Sequence, residues 1–263
     1  CSSDLATRLG LPPWPADAEL AAVARSIEAL RAALGDEPAA RLHLTHLSTA
    51  DGLAAVRRAR DEGLPVTCDV TPHHLAMTDR WILGERRWAW EASADRLPSP
   101  NLDAFDPHLR VCPPLRGPDD AAACRAALRD GTAIAIATDH APHARERKEL
   151  EFGAAANGIA GIETCLSVAL AAQAAGELSL STVVAALTVG PARLLGSAAR
   201  CDGLAEGEPA DLVVVDRTRS WIPSSTTLVG RSRNTPLLAR PLPGVVVETL
   251  VGGERAWGEP TGR

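Results

Sequence analysis

The chain has 263 residues, room for one α/β barrel or two modest domains. Hydrophobic residues at 46% and charged residues at 23% are ordinary globular proportions, which excludes a disordered or fibrous chain. Lys and Arg total 27 against 33 Asp and Glu; the net charge of -6 has the wrong sign for a binder of phosphate backbones, so no nucleic-acid partner is expected.

In chain order, the first strong signal is DAELAAVARSIEALRAAL, Asp17 to Leu34. Leu20, Val23, Ile27, Leu30 and Leu34 recur there at three- and four-residue steps, an amphipathic helix started by Pro15 and Asp17 and stopped by Gly35. RLHLTHLS follows as a strand with Leu42, Leu44 and His46 on one face and His43 and Thr45 on the other. A helix from about Ala50 to Glu62 leads through Gly63 and Pro65 to the strand VTCDV, which makes a parallel crossover unit. The segment Thr78 to His108 holds Trp81, Trp88 and Trp90, several prolines and little periodicity, and reads as a long excursion over a site or as a packing insert.

A helix from Pro118 to Arg129, stopped by Gly131, precedes TAIAIATD, a strand apolar on both faces as buried parallel strands are. Helices are expected near Gly161 to Ala175 and Ser179 to Leu187, then a short one holding PARLLG. Beyond Cys201 the segments ADLVVVD and GVVVETLVGGERAW are strand-like, joined by a Ser- and Pro-containing linker from about Trp221 to Pro243, and read as a small all-β appendage. The apolar run Leu166 to Ala172 is broken by Gln173, Gly176 and Glu177, well short of a membrane span, and the N-terminus lacks a basic-then-apolar signal pattern. The six cysteines (Cys1, Cys68, Cys112, Cys124, Cys165, Cys201) are scattered, as where thiols stay reduced, so a cytoplasmic location is expected. Residue 1 is Cys and the one Met is Met77, so the chain reads as incomplete at its front.

His46, His73, His74, Asp139, His140 and His143 all fall at or just after predicted parallel strands, where α/β sheets and barrels gather their ligand sites. An imidazole and a carboxylate from two strand ends suit zinc or a related divalent metal. His46 also reads as a half-buried strand histidine satisfied by a carbonyl, and Asp139 as the cap of a turn. His73 and His74 follow Pro72 in a loop, where a structural or supporting role outweighs ligation. His43 and His108 look bland. Asp69, ionised in a buried strand, demands a partner.

At these residues the sequence resembles dihydroorotase of the amidohydrolase superfamily. The stretches are HLTHLSTA (43 to 50), GLPVTCDVTPHHL (63 to 75), VCPPLR (111 to 116), IATDHAPH (136 to 143) and ANGIAGIET (156 to 164), with GEPADLVVVD and GVVVETLVGGERAW at the tail. The resemblance implies part of a (β/α)8 TIM-type barrel over residues 1–200 and a piece of a small β-sandwich over 201–263. It implies that His46 ligates one zinc of a binuclear site, and that Asp139 ligates the other and shuttles the proton. It further implies that Cys112, His143, Asn157 and Gly158 contact a small substrate, carbamoyl aspartate or dihydroorotate. Cys112 stands where the family carries Asn in NPPLR, and Asp69 where it often carries Glu.

The family's HxH pair, bridging carboxylated Lys or Asp, next metal histidine and substrate-gripping Arg all precede the stretch with which this chain begins. The sequence therefore looks like the C-terminal part of a longer enzyme, expected to be inactive and unstable alone. Two alternatives to this reading are a cyclic amidase acting on allantoin or hydantoins, and a metal-free scaffold subunit for aspartate transcarbamoylase; the resemblance also implies a homo-oligomer or an association with aspartate transcarbamoylase.

Overall fold

The computed structural model describes residues 3–92, 99–196 and 204–258. Cys1, Cys201 and the boundary expected at 200/201 lie outside the described residues; Cys68, Cys112, Cys124 and Cys165 are free thiols.

Three short strands, β1 (Leu42–Leu44), β2 (Val66–Val70) and β3 (Ala133–Ile136), form a parallel sheet in the order β1-β2-β3. Leu42 is opposite Val66, and Val70 is opposite Ile136, with a register shift between Cys68 and Asp69. Parallel pairing requires a crossover, and the chain supplies a helix for each. Those are α3 (Ala50–Asp61), between β1 and β2, and α5 (Pro118–Arg129), between β2 and β3. Thr49 caps α3 by accepting the Gly52 N–H, and Pro118 opens α5, where a missing N–H costs nothing. Val66, Cys68 and Val70 are buried against Leu53, Val56, Cys124 and Leu128 of these helices.

The long N-terminal helix α2 (Ala16–Asp36), preceded by α1 (Ser3–Leu9), buries Val23, Ile27 and Leu30 as the spacing requires. It runs through Gly35, which does not stop it. Glu19 of α2 accepts hydrogen bonds from the Ser48 and Thr49 backbone N–H groups and from both hydroxyls, tying α2 to the start of α3.

After β2 the chain turns into α4 (Pro72–Ala76), a five-residue helix in which both His73 and His74 are buried, rather than the loop expected from Pro72. Thr71 accepts the His74 N–H and Pro72 sits at the first position, an N-terminal signature present in the sequence. The excursion that follows packs inward. Trp81 is fully buried, its ring centroid 5.8 Å from that of Trp88, which stacks on Trp90. The Arg240 guanidinium lies 3.9 Å from the Trp88 centroid.

Beyond β3 come α6 (Arg145–Lys148), α7 (Cys165–Ala174), α8 (Leu180–Leu187) and α9 (Val189–Leu195). Gly190 lets α9 lie directly on β3, because a Cβ there would fall 1.7 Å from the Ile134 carbonyl oxygen. Val184, Leu194 and Leu195 on these helices are exposed. The tail is an antiparallel meander of β4 (Leu212–Trp221), β5 (Leu242–Val251) and β6 (Glu254–Gly258); GVVVETLVGGERAW splits at Gly252 and Gly253, both at positive φ, into a hairpin. The Trp221 indole donates to Ser167 of α7, and Ser167 donates to the Gly244 carbonyl, so the meander is fastened to the α/β part.

Candidate active site

The carboxyl end of β1 is shaped by one buried carboxylate on β2. Asp69 accepts the His46 backbone N–H at 2.6 Å, the Thr45 hydroxyl at 3.0 Å and the His43 Nε2 contact at 2.8 Å. The partner that a buried aspartate demanded is thus a set of three, and His43 belongs to it, its Nδ1 meeting Thr67 Oγ1 at 2.8 Å. The strand ends at Leu44, so the alternation expected to run on to His46 is broken. His46 takes φ 49°, a left-handed conformation unusual for a side chain with a Cβ.

Asp139, beyond the carboxyl end of β3, has φ 46°, the same region. Both strands that end in candidate site residues leave the sheet through a kink that strand periodicity cannot signal. Burial pushes the Asp139 carboxyl above its ordinary pKa; His46 pulls it down and Asp69 pushes it up, which sets all three within electrostatic reach of one another. The Asp139 Oδ2 lies 3.8 Å from Nε2 of His73, and that buried ring nitrogen has no hydrogen-bond partner. Burial, reinforced by His74 and His46, drives the His73 pKa far below its usual value, so the ring is neutral. Cys112 is within electrostatic reach of Asp139: burial raises its thiol pKa, and Asp139 raises it further, which keeps it a protonated thiol rather than a nucleophile.

His74 is held by partners of its own. Its Nδ1 meets Thr71 Oγ1 at 2.8 Å and its Nε2 the Pro113 carbonyl at 3.2 Å, and burial lowers its pKa to about 4. A histidine with a depressed folded pKa contributes stability above its unfolded value of about 6.5 and loses it as pH falls toward the folded value. Between pH 6.5 and 4 the wild type should therefore lose roughly 3 kcal/mol that a His74→Gln variant does not lose, measured by denaturant melts across that range.

His143, Asn157 and Gly158 meet on two neighbouring loops. His143 Nε2 lies 2.8 Å from the Asn157 carbonyl oxygen, the Ala141 N–H donates to the Ile159 carbonyl, and His140 pairs with Ile159 as a parallel bridge. Gly158, at φ 132°, admits no side chain, since a Cβ would come within 2.4 Å of the Ala141 Cβ. Below them the buried Lys148 donates to the carbonyls of Arg110 and Ala156, with burial lowering its pKa to about 8. Lys148, Arg110 and the tail residue Asn234, which holds both loops, were invisible in the sequence, because contacts across 8, 38 or 93 residues carry no period.

An imidazole at one strand end and a carboxylate at another, within electrostatic reach of each other, are donor chemistry that suits a divalent metal. His46 and Asp139 would hold the ion. They are fewer than the three protein ligands a catalytic zinc uses, and no group of three such side chains is gathered among the described residues. No helix among them is long and apolar enough to cross a membrane.

The chain matches the Amidohydrolase family model over residues 24–255 and belongs to that family, with a TIM-barrel-type α/β fold. Within it the chain is 44% identical over 248 residues to a dihydroorotase of Anaeromyxobacter dehalogenans strain 2CP-1, covering 94% of this chain and 52% of that one. It is 38% identical to a dihydroorotase of Mycobacterium tuberculosis, covering 95% and 53%. Among solved structures, L-hydantoinase (dihydropyrimidinase) from Arthrobacter aurescens superposes with a TM-score of 0.75 at 26% identity, over 91% of this chain and 49% of that one. The chain spans about half the length of the curated relatives it matches.

Proposed function

We propose that this chain works in a dihydroorotase, the reversible metal-dependent cyclisation of N-carbamoyl-L-aspartate to (S)-dihydroorotate in pyrimidine biosynthesis. The observation that carries the reading is the 44% identity, over 94% of the chain, to a protein of that name. In this reading the parallel sheet is the C-terminal arc of a (β/α)8 barrel over residues 1–200, and residues 201–263 are a segment of a β-sandwich. The remaining barrel strands would cover the free edges of β1 and β3 and the exposed Val184, Leu194 and Leu195. The location is cytoplasmic, and the partners are the substrate and, in the assembled enzyme, further copies or aspartate transcarbamoylase.

His46 and Asp139 would hold zinc, two ions per complete site. Bound there, zinc supplies the Lewis acidity that polarises the ring carbonyl and makes water acidic enough to attack near neutral pH. In the hydrolytic direction Asp139 takes the proton from the attacking water and delivers it to the departing amide nitrogen, and cyclisation runs the same transfers in reverse; a carboxyl raised by burial is nearer to the pH at which it both accepts and donates. His73, neutral and buried, faces Asp139 without competing for its proton. His143 and the backbone at Asn157 and Gly158 bind the substrate, and Cys112 touches the ring as a neutral thiol.

The test is turnover of dihydroorotate beside allantoin and hydantoin by the complete, zinc-loaded polypeptide. Preference for dihydroorotate by about two orders of magnitude or more supports the reading. Preference for a hydantoin refutes it in favour of the cyclic amidase reading, which Cys112 and the hydantoinase likeness support. Cys112→Asn should leave kcat/KM for dihydroorotate equal or up to about tenfold higher, since an amide adds a hydrogen bond to the ring. A severe loss would give the thiol a role of its own.

A further inference from the structure

Asn234 lies in the Ser- and Pro-containing linker, within RSRNTPL, where a polar residue is expected at the surface. It is instead buried, 2% exposed, and all of its side-chain hydrogen-bonding groups are engaged. Its Nδ2 donates to the Ala141 carbonyl at 2.9 Å and the Gly158 carbonyl at 3.1 Å. Its Oδ1 accepts the His143 N–H at 3.1 Å and the Ser232 hydroxyl, and its own carbonyl accepts the Ala160 N–H at 2.9 Å. The single Ser232 hydroxyl proton is shared between the Asn234 Oδ1 and the His143 carbonyl, 2.9 Å away, and the Ser232 Oγ accepts the Asn234 N–H at 3.4 Å.

The bridge between His140 and Ile159 leaves the carbonyls of Ala141 and Gly158 in need of donors, while the His143 N–H needs an acceptor. One primary amide meets all three, because it carries two donors and an acceptor on a short, planar group. Aspartate would face two carbonyls with acceptors alone, and an apolar side chain would orphan three backbone groups.

We propose that Asn234 is a positioning residue that sets the spacing between His143 and Gly158 and so fixes the pocket for the substrate, an inference that rests on reading those two residues as dihydroorotate contacts. The side chain touches no reacting atom. It clamps the two loops that do, from a segment 76 to 93 residues away in the chain. A residue that merely stabilised the fold would lower the melting temperature and leave KM alone. A positioning residue raises KM with little change in kcat.

The experiment compares Asn234→Ala and Ser232→Ala with the wild type in the complete zinc-loaded polypeptide. Three quantities are read: dihydroorotate kinetics, zinc content, and hydrogen exchange of peptides covering 139–143 and 156–161. For Asn234→Ala we expect KM up by roughly tenfold, kcat within about threefold, unchanged zinc and faster exchange confined to those two peptides. Ser232→Ala, which loses the hydroxyl contacts to the His143 carbonyl, the Asn234 Oδ1 and the Asn234 N–H, should show the same pattern at smaller size and is decisive if Asn234→Ala does not fold. Unchanged exchange in both peptides, or a lowered melting temperature with unchanged KM, overturns the proposal. Wild-type protein that does not turn over dihydroorotate would instead refute the functional reading, and the exchange measurement would still decide the clamp.

Discussion

Asp139→Ala in the complete zinc-loaded enzyme is expected to cut dihydroorotate turnover by about 10,000-fold, the upper range for losing a positioned acid-base group, whereas His73→Ala should cost no more than about tenfold. The two side chains sit 3.8 Å apart, so the contrast isolates role from location. Asp139 is partly exposed at 29% of its side-chain surface and raised in pKa by burial, which suits a group that accepts and returns a proton. His73 is 3% exposed and far below its usual pKa, so it has neither access to substrate nor a proton to give near neutrality. Steady-state kinetics of the two variants decide the matter: comparable residual rates would remove Asp139 from the proton-transfer role.

Asp69→Ala is the second large effect expected. It would leave the His46 N–H, the Thr45 hydroxyl and the His43 ring without their shared acceptor at a residue already held at φ 49°. Removing a buried carboxylate that accepts three hydrogen bonds should cost about 3 kcal/mol of folding free energy. Released from its left-handed kink, His46 should also bind zinc more weakly, seen as zinc lost to a chelator at concentrations that leave the wild type loaded. Asp69→Asn, which can still accept the His46 N–H, should recover part of both losses. An Asp69→Ala protein of wild-type stability and zinc retention would mean that the kink is held by the strand and not by the carboxylate.

Local chemistry in the sequence was enough to place most elements. Thr49 before α3, Pro118 at the start of α5 and the apolar steps Val23, Ile27, Leu30 of α2 each acts within one turn of the chain, so spacing reveals it. Gly35 misled because a glycine in an exposed last turn costs too little to end a helix already paid for by packing upstream. β1 was read too long because its end is set by Asp69, 23 residues on, and nothing in HLTHLS marks where the alternation stops. His43, dismissed as bland, pairs with that same carboxylate. His46, Asp139, Cys112, His143, Asn157 and Gly158 stood out through short motifs, while Asn234, Lys148 and Arg110, which hold the loops in place, carry no local sign. What reads along the chain is legible; what reads across it is not.

The clamp made by Asn234 has a consequence for how the protein is born. Residues 139 to 160 leave the ribosome well before the amide that fastens them, and a loop-closing contact of 93 residues forms slowly and late. Until then the pocket stays loose, so a nascent chain stopped short of Ser232 would lack the amide that holds both substrate loops, together with the core residues Leu237 and Leu242.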